Sequence, residues 1–374
     1  MSHARAMPSK FHLTVPCPGS LQLQEEAARR APPIMTRDQA EGELGHIVAR
    51  KHAQGLGDEW PVGRTVHVGR HEFDIDDDMV DGAALYADEA QANGRFEEPV
   101  SIPDVQECFG TPDWWRVLIT EVIRQLKAID YKYGHRYVEV FEHYQLIGYL
   151  SGIARMLNLP LDFPVVAVIV QPRNYTHGAV REWKTTVGEI HRIVAEVIAP
   201  RVALALGPNP PTVAGRHCID CGARHLCKTL ATADASILDF AGTAEPQELP
   251  NWAVGQELRM LKDAIKLLEA RYTGLYEHAS AAARTEAIPH WGFEPGNGKY
   301  RWKDDTKPEH VAAVGDLMGV DIRKPMQLIT PTQAIKKGID ATVISSYAHR
   351  PPGAMRLVPD DTIRTRKIFG GNKT

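Results

Sequence analysis

Two short stretches carry the residue types that could do chemistry: Gly110-Thr-Pro-Asp113 and Ala128-Ile-Asp130-Tyr-Lys132-Tyr-Gly134. Asp113 follows a turn-forming Gly-Thr-Pro and precedes a strand-like run over 114–120, and a second β-rich run over 126–133 ends at Gly134. The runs are close enough to pair as an antiparallel hairpin through 121–125. Alternation along a strand puts Asp130 and Lys132 on one face and Ile129 and Tyr131 on the other. Pairing can bring Asp113 to the same end. Two carboxylates and an ammonium converging there form a site for a divalent cation and a phosphodiester. A solvated strand face bearing an Asp–Lys pair is the plainer reading.

The elements that must position these groups follow from pattern. A helix is predicted over 37–54, with Gly42 and His46 on one face. Gly42 and Gly45 inside it point to close approach of another backbone or a ligand. A second helix over 74–93 opens on an acidic run, Asp74 to Asp78, read as capping and solvation. A helix over 138–157 carries Gln145 and Tyr149 on one face. The run over 163–170 is continuously apolar, as in a buried central strand, and an amphipathic helix follows over 187–206. Ser20 is the expected N-cap of an early helix. Strands interleaved with helices imply an α/β sandwich.

Cys218, Cys221 and Cys227 stand in a C-x2-C-x5-C arrangement. One tight turn can aim all three sulfurs at a point, and a closed site needs a fourth ligand. The candidates are Cys17, Cys108, His217 and His225, and Cys17, in a loop fixed by Pro16 and Pro18, is preferred. Zinc and an iron–sulfur cluster both remain open on this chemistry.

With 374 residues, 43% hydrophobic and 24% charged, the composition is that of a soluble globular protein. No run is long and apolar enough to span a membrane, and no secretory signal is read at the start, so cytoplasm is expected. A net charge of −4 excludes a generally basic nucleic-acid coat, so any DNA contact is a local patch. A linker is expected over 233–250, then one long helix over 253–284. Residues 291–303 read as a local hairpin, with helices near 308–319 and 331–339, the latter capped by Thr330. Residues 290–374 hold 14 Lys/Arg against 9 Asp/Glu. In that tail Tyr300, Trp302, Lys303, Lys336, Lys337 and Arg364 are candidates to touch a backbone or stack on bases. The expected division is 1–232, 233–289 and 290–374.

In order, Cys17, Gly42-x3-His46, Pro112-Asp113, Asp130-x-Lys132, Gln145-x3-Tyr149 and Cys218-x2-Cys221-x5-Cys227 resemble the RecB-like, iron–sulfur branch of the PD-(D/E)XK nuclease superfamily. The resemblance covers roughly residues 10–230. Cys17-Pro-Gly-Ser, Asp130-Tyr-Lys-Tyr-Gly134, Tyr300-Arg-Trp-Lys-Asp and Leu328-Ile-Thr-Pro further resemble an uncharacterised RecB-like family of phages and prophages. The resemblance implies a restriction-endonuclease-like core, a central mixed sheet flanked by helices, with iron–sulfur-stapled termini and a small α+β C-terminal region. It implies that His46, Asp113, Asp130 and the Tyr131 carbonyl ligate Mg²⁺ or Mn²⁺, and that Lys132 orients the attacking water. Gln145 and Tyr149 would line the DNA path, and Cys17, Cys218, Cys221 and Cys227 would hold a [4Fe–4S] cluster. The implied activity is metal-dependent DNA hydrolysis, as an exonuclease or end-processing enzyme on single strands or ends. Its setting would be phage replication, recombination or repair in the bacterial cytoplasm, beside a single-strand-binding protein or helicase. The chain has no Gly-x4-Gly-Lys-Ser/Thr of its own, so it lacks a motif for ATP-driven unwinding. A catalytically silent DNA-binding scaffold with a structural four-cysteine zinc site is the alternative.

Overall fold

The computed structural model describes residues 5–359 except 33–34, 92, 122, 175–177, 244–248, 298–300, 304, 324–330, 332–333, 335–338 and 350–351. The chain divides into two compact units, Met1–Gly274 and Leu275–Thr374. The first unit therefore runs well past the expected break at 232. The stretch expected to be a linker is largely helix α8 (Lys228–Thr243), where Leu230 and Asp234 are buried. The long helix α9 (Asn251–Ala282) follows.

The first unit is built on a five-stranded mixed sheet. Its strands are β3 (Arg95–Phe96), β6 (Trp114–Ile119), β7 (Arg124–Tyr131), β8 (Pro164–Val170) and β9 (Val180–Thr186), lying side by side in that order. The hairpin read from sequence is present: β6 and β7 pair antiparallel with Trp114 opposite Ile129 and Ile119 opposite Arg124. β8 lies parallel to β7, and its Val165 to Val170 are all buried, as a strand covered on both faces requires. Short strands β4 (Val100–Ser101) and β5 (Phe109–Gly110) pair beside the sheet and lead the chain toward Asp113.

Strand alternation sorts the core into two layers. Trp115, Leu126, Ala128, Val165 and Ala167 face helix α5 (Tyr144–Met156) and the helical run 187–206. Trp114, Ile129, Tyr131, Val166 and Val168 face helices α3 (Arg37–Ala53) and α4 (Asp77–Ala90). The run 187–206 is helical throughout: α6 (Val187–Ile193) joins α7 (Ala199–Leu206) through a wider π turn at Val194–Ile198, just before Pro200. That turn absorbs a residue lacking an N–H.

The helix ends follow capping chemistry. Thr36 and Gln39 form a capping box at α3, and the Asp76 side chain accepts from Met79 N–H at 2.9 Å at α4. The acidic run thus caps α4, as expected, although Asp74 itself ends strand β2 (His71–Asp74), which pairs with β1 (Thr65–Val68). Ser20 is not an N-cap. After the short α1 (Phe11–Thr14), helix α2 (Gly19–Arg30) starts two residues earlier than that cap implies, with Pro18 at the N-cap; Gly19 N–H donates to Pro211 O at 2.9 Å, and Ser20 is buried. Close approach in α3 occurs at Gly45, where a Cβ would fall 2.6 Å from Tyr133 Cγ, whereas Gly42 faces open space. No helix among the described residues is long and apolar enough to cross a membrane.

In the second unit, β10 (Trp291–Asn297) pairs with β13 (Pro352–Pro359), and β11 (Arg301–Trp302) with β12 (Ala348–His349). The local hairpin expected over 291–303 is therefore replaced by two non-local pairings. Helices α10 (Pro308–Leu317) and α11 (Ala341–Tyr347) share a small core with Val311, Ile322, Ile339 and Ile344. Trp302 packs against that core and Lys303 Nζ donates to Ser346 O at 2.8 Å, so both are used internally. Tyr300, Thr330, Lys336, Lys337 and Arg364 lie outside the described residues.

Candidate active site and cysteine centre

Asp113 leads into β6 and Asp130 closes β7, so the antiparallel register brings the two carboxylates to one end of the sheet. Asp113 Oδ2 accepts the Tyr131 N–H at 2.7 Å and stands 3.4 Å from His46 Nδ1, supplied by α3 across the other layer. The His46 ring meets Tyr131 edge-on, with centroids 5.4 Å apart, which fixes its plane. Lys132 N–H donates to Val170 O at 2.8 Å, tying the residue after β7 to β8. Its Nζ lies 2.8 Å from Asp130 Oδ2, and Asp130 is 1% exposed.

Gln145, in the first turn of α5, closes the loop between these two. Its Nε2 donates to Asp130 Oδ1 at 2.9 Å and its Oε1 accepts from Lys132 Nζ at 3.1 Å. A residue expected only to line a DNA path therefore orients both members of the Asp–Lys pair. Tyr149, one turn on along α5 and 4% exposed, lies beside Gln145 within the fold.

The electrostatics follow from burial against neighbours. Burial disfavours charge on Asp113, but His46, Lys132 and the Tyr131 N–H outweigh it and hold the carboxyl below its usual range. Burial likewise works against protonated His46, and Asp113 overcomes it, raising the imidazole pKa. For Asp130, burial is the largest effect and the carboxyl is raised, with Lys132 offsetting it only in part and Asp113 adding to it. Burial acts against the Lys132 ammonium, and Asp130 more than restores it. The result is two half-sites, Asp113 with His46 and Asp130 with Lys132, each carboxylate matched to its own cation or donor.

Among the described residues, no three His, Cys, Asp or Glu side chains stand close enough to share one ion. Each carboxylate is drawn instead toward its own partner. The donor set, two carboxylates and an imidazole, is nonetheless one that suits Mg²⁺ or Mn²⁺, hard ions that take oxygen ligands. A buried Asp130 whose ionisation is opposed gains most from an added cation.

One residue near the site was not singled out from sequence. His143 is the N-cap of α5, two residues before Gln145, and its buried Nδ1 has no hydrogen-bond partner among the described residues. Burial, with Lys132 and then His12 adding to it, lowers its pKa to about 3. No signal in the sequence marks it, since the helix expected from 138 begins instead at Tyr144. Because the folded chain resists a proton that the unfolded chain accepts near pH 6.5, stability is present above that value and is lost as pH falls toward the folded pKa. Melting temperature measured from pH 7 to 4.5 is expected to fall less steeply in His143→Gln than in the wild type. Parallel curves would contradict this assignment.

The four preferred cysteines lie near enough for each to feel charge on its neighbours, although no three of them stand at the distance of one shared ion. Cys218 lies in a 3-10 turn (Arg216–Asp220), Cys221 closes it, Cys227 precedes α8, and Cys17 enters between the first helical turns. Val213 N–H donates to Cys17 Sγ at 3.3 Å, Gly215 N–H to Cys218 Sγ at 3.4 Å and Leu230 N–H to Cys227 Sγ at 3.4 Å. Burial raises the thiol pKa of Cys17 and Cys218 and pushes Cys221 up to about 11, and charge on the neighbouring cysteines adds to each. Backbone donors aimed at sulfur suit thiolates, and a bound metal would supply the deprotonation that burial opposes.

Cys108 is elsewhere. It bridges Ala6 in the main core, and burial takes its thiol to about 12. His217 faces the Val213 carbonyl at 3.0 Å. The N-terminal segment is held beside this centre by Arg201, which donates to Val15 O at 2.7 Å and Pro16 O at 3.2 Å.

The sheet, its flanking helices, the carboxylate end and the cysteine centre all lie within one stretch covered by a single family model. That model, described as a protein of unknown function (DUF2800), matches residues 3–365, and the chain belongs to this family.

Proposed function

We propose that this protein is a divalent-metal-dependent DNA nuclease that hydrolyses phosphodiester bonds at DNA ends or in single strands. The observation that carries the reading is the convergence of His46, Asp113, Asp130 and Lys132 at the end of β7, with Gln145 bridging the last two. A binding module has no need of that combination.

His46, Asp113, Asp130 and the Tyr131 carbonyl would hold Mg²⁺ or Mn²⁺. Such an ion lowers the pKa of a bound water and neutralises charge on the phosphate. Lys132, cationic and fixed by Gln145, is the donor that orients the water and meets charge developing on the phosphoryl oxygens. Gln145 keeps Lys132 and Asp130 from collapsing into an unoriented ion pair. Cys17, Cys218, Cys221 and Cys227 would hold a [4Fe–4S] cluster, or zinc, as a structural staple. The setting that fits is phage or prophage DNA metabolism in a bacterial cytoplasm, beside a helicase or single-strand-binding protein.

The test is release of acid-soluble nucleotide from linear duplex and from single-stranded DNA with Mn²⁺. Release that a chelator stops is expected. Stable DNA binding with no release would favour the silent scaffold.

A further inference from the structure

Helix α9 presents two faces with different fates. On one, Ala270 is fully buried and Leu267 packs with it against Cys218 and Leu230. The Gly274 backbone lies against Arg224, and Arg216 Nη2 pairs with Asp263 at 2.6 Å. Arg271 Nη1 donates to the carbonyls of Arg224 at 3.1 Å and His225 at 2.6 Å. On the other face stand Val254, Leu258, Leu261, Ile265 and Leu268. The first four are 38%, 62%, 44% and 53% exposed.

Their spacing is 4, 3, 4, 3, the alternation of a coiled-coil seam rather than the wider stripe of a helix packed on a globular core. Leu258 and Ile265 take the a positions, and Val254, Leu261 and Leu268 the d positions. Of the docked residues, Asp263, Leu267, Ala270 and Gly274 then fall at f and c, away from the seam, and Arg271 at g, on its edge. A repeat of this period suits a second helix supercoiled against it, and in the Ile265–Leu268 heptad the β-branched a residue with leucine at d favours two strands.

The flanking charges say which helix. Glu257 is at g and Lys262 at the following e position. In a parallel, in-register pair, g of one chain meets e of the other five residues on, so Glu257 faces Lys262 on both sides of the seam. The surface is complementary to itself. Docking through c and f already holds the helix in shape, so its ordering is not a cost of association.

We infer that Val254–Leu268 is a dimerisation seam, and that its partner is the same helix of a second copy, parallel and in register. This assignment is independent of the chemistry proposed for the carboxylate site. Sedimentation equilibrium of the full chain, purified anaerobically, tests it. The wild type is expected at twice the monomer mass at micromolar concentration. Leu261→Asp with Ile265→Asp is expected at monomer mass with unchanged circular dichroism, since both side chains are exposed.

Glu257→Lys alone should weaken the dimer about tenfold, as two attractive pairs become repulsive. Adding Lys262→Glu should restore it, because the pair is re-formed with its signs exchanged. A wild type that stays monomeric at tens of micromolar overturns the inference, as does an aspartate variant that keeps the wild-type mass. Failure of the double charge reversal to restore affinity overturns the parallel register.

Discussion

Asp130→Asn is expected to lower metal-dependent DNA cleavage by at least about 10³-fold, equivalent to roughly 4 kcal/mol in the barrier. The side chain is fully buried, accepts from Gln145 and pairs with Lys132. Asparagine keeps its shape and can still meet Gln145, but removes the charge that would draw a cation to the end of β7. Lys132, with about a quarter of its side chain exposed, can turn to water, so the fold should survive. The comparison to make is single-turnover cleavage by the two proteins at saturating Mn²⁺, alongside their circular dichroism. Equal rates would remove Asp130 from the reaction, whatever its place in the fold.

The second large effect is expected at the cysteine centre. Cys17→Ala should abolish the iron and sulfide content of anaerobically purified protein and lower its melting temperature by about 10 °C or more. A centre shared by Cys17 and Cys218 would close a loop of about 200 residues. Cross-linking a loop of that size is worth on the order of 5 kcal/mol by chain entropy. In a unit this large each kcal/mol moves the melting point by about 2–4 °C. The Arg201 contacts to Val15 and Pro16 would remain, so the segment should loosen rather than detach. Stoichiometric zinc in the wild type would assign the simpler ion and leave the staple in place. Iron content and melting temperature equal to those of the wild type would contradict Cys17 as the fourth ligand.

The carboxylate end was legible in the sequence because strand alternation is local. Once 114–120 and 126–133 read as a hairpin, Asp113, Asp130 and Lys132 had to share one end. The roles of their neighbours were less visible. Gln145 reaches Asp130 and Lys132 only because α5 packs across the sheet face carrying Leu126 and Ala128, a contact no spacing rule contains. His143 stayed hidden for the same reason.

Two misreadings arose where tertiary contacts overrode local composition. The stretch over 233–250 reads as a linker, yet α8 enters it and runs to Thr243, anchored before it by Leu230 against Cys218 and Ala270. The Gly-Asn-Gly near 297 signals a local turn, yet β10 takes a partner more than fifty residues away. The local turn signal does not outweigh the long-range backbone ladder between β10 and β13. The seam on α9 was present in the sequence as a list of apolar residues. Only the docking of Leu267 and Ala270 on the opposite face separates it from an ordinary core stripe.

The most direct test of the nuclease reading is digestion of end-labelled DNA by wild type and Asp130→Asn, purified side by side and assayed with Mn²⁺ and without ATP. The account predicts labelled products from the wild type, none in chelator, and none from the variant over the same time. Intact DNA with the wild type, or equal digestion by both, would contradict it.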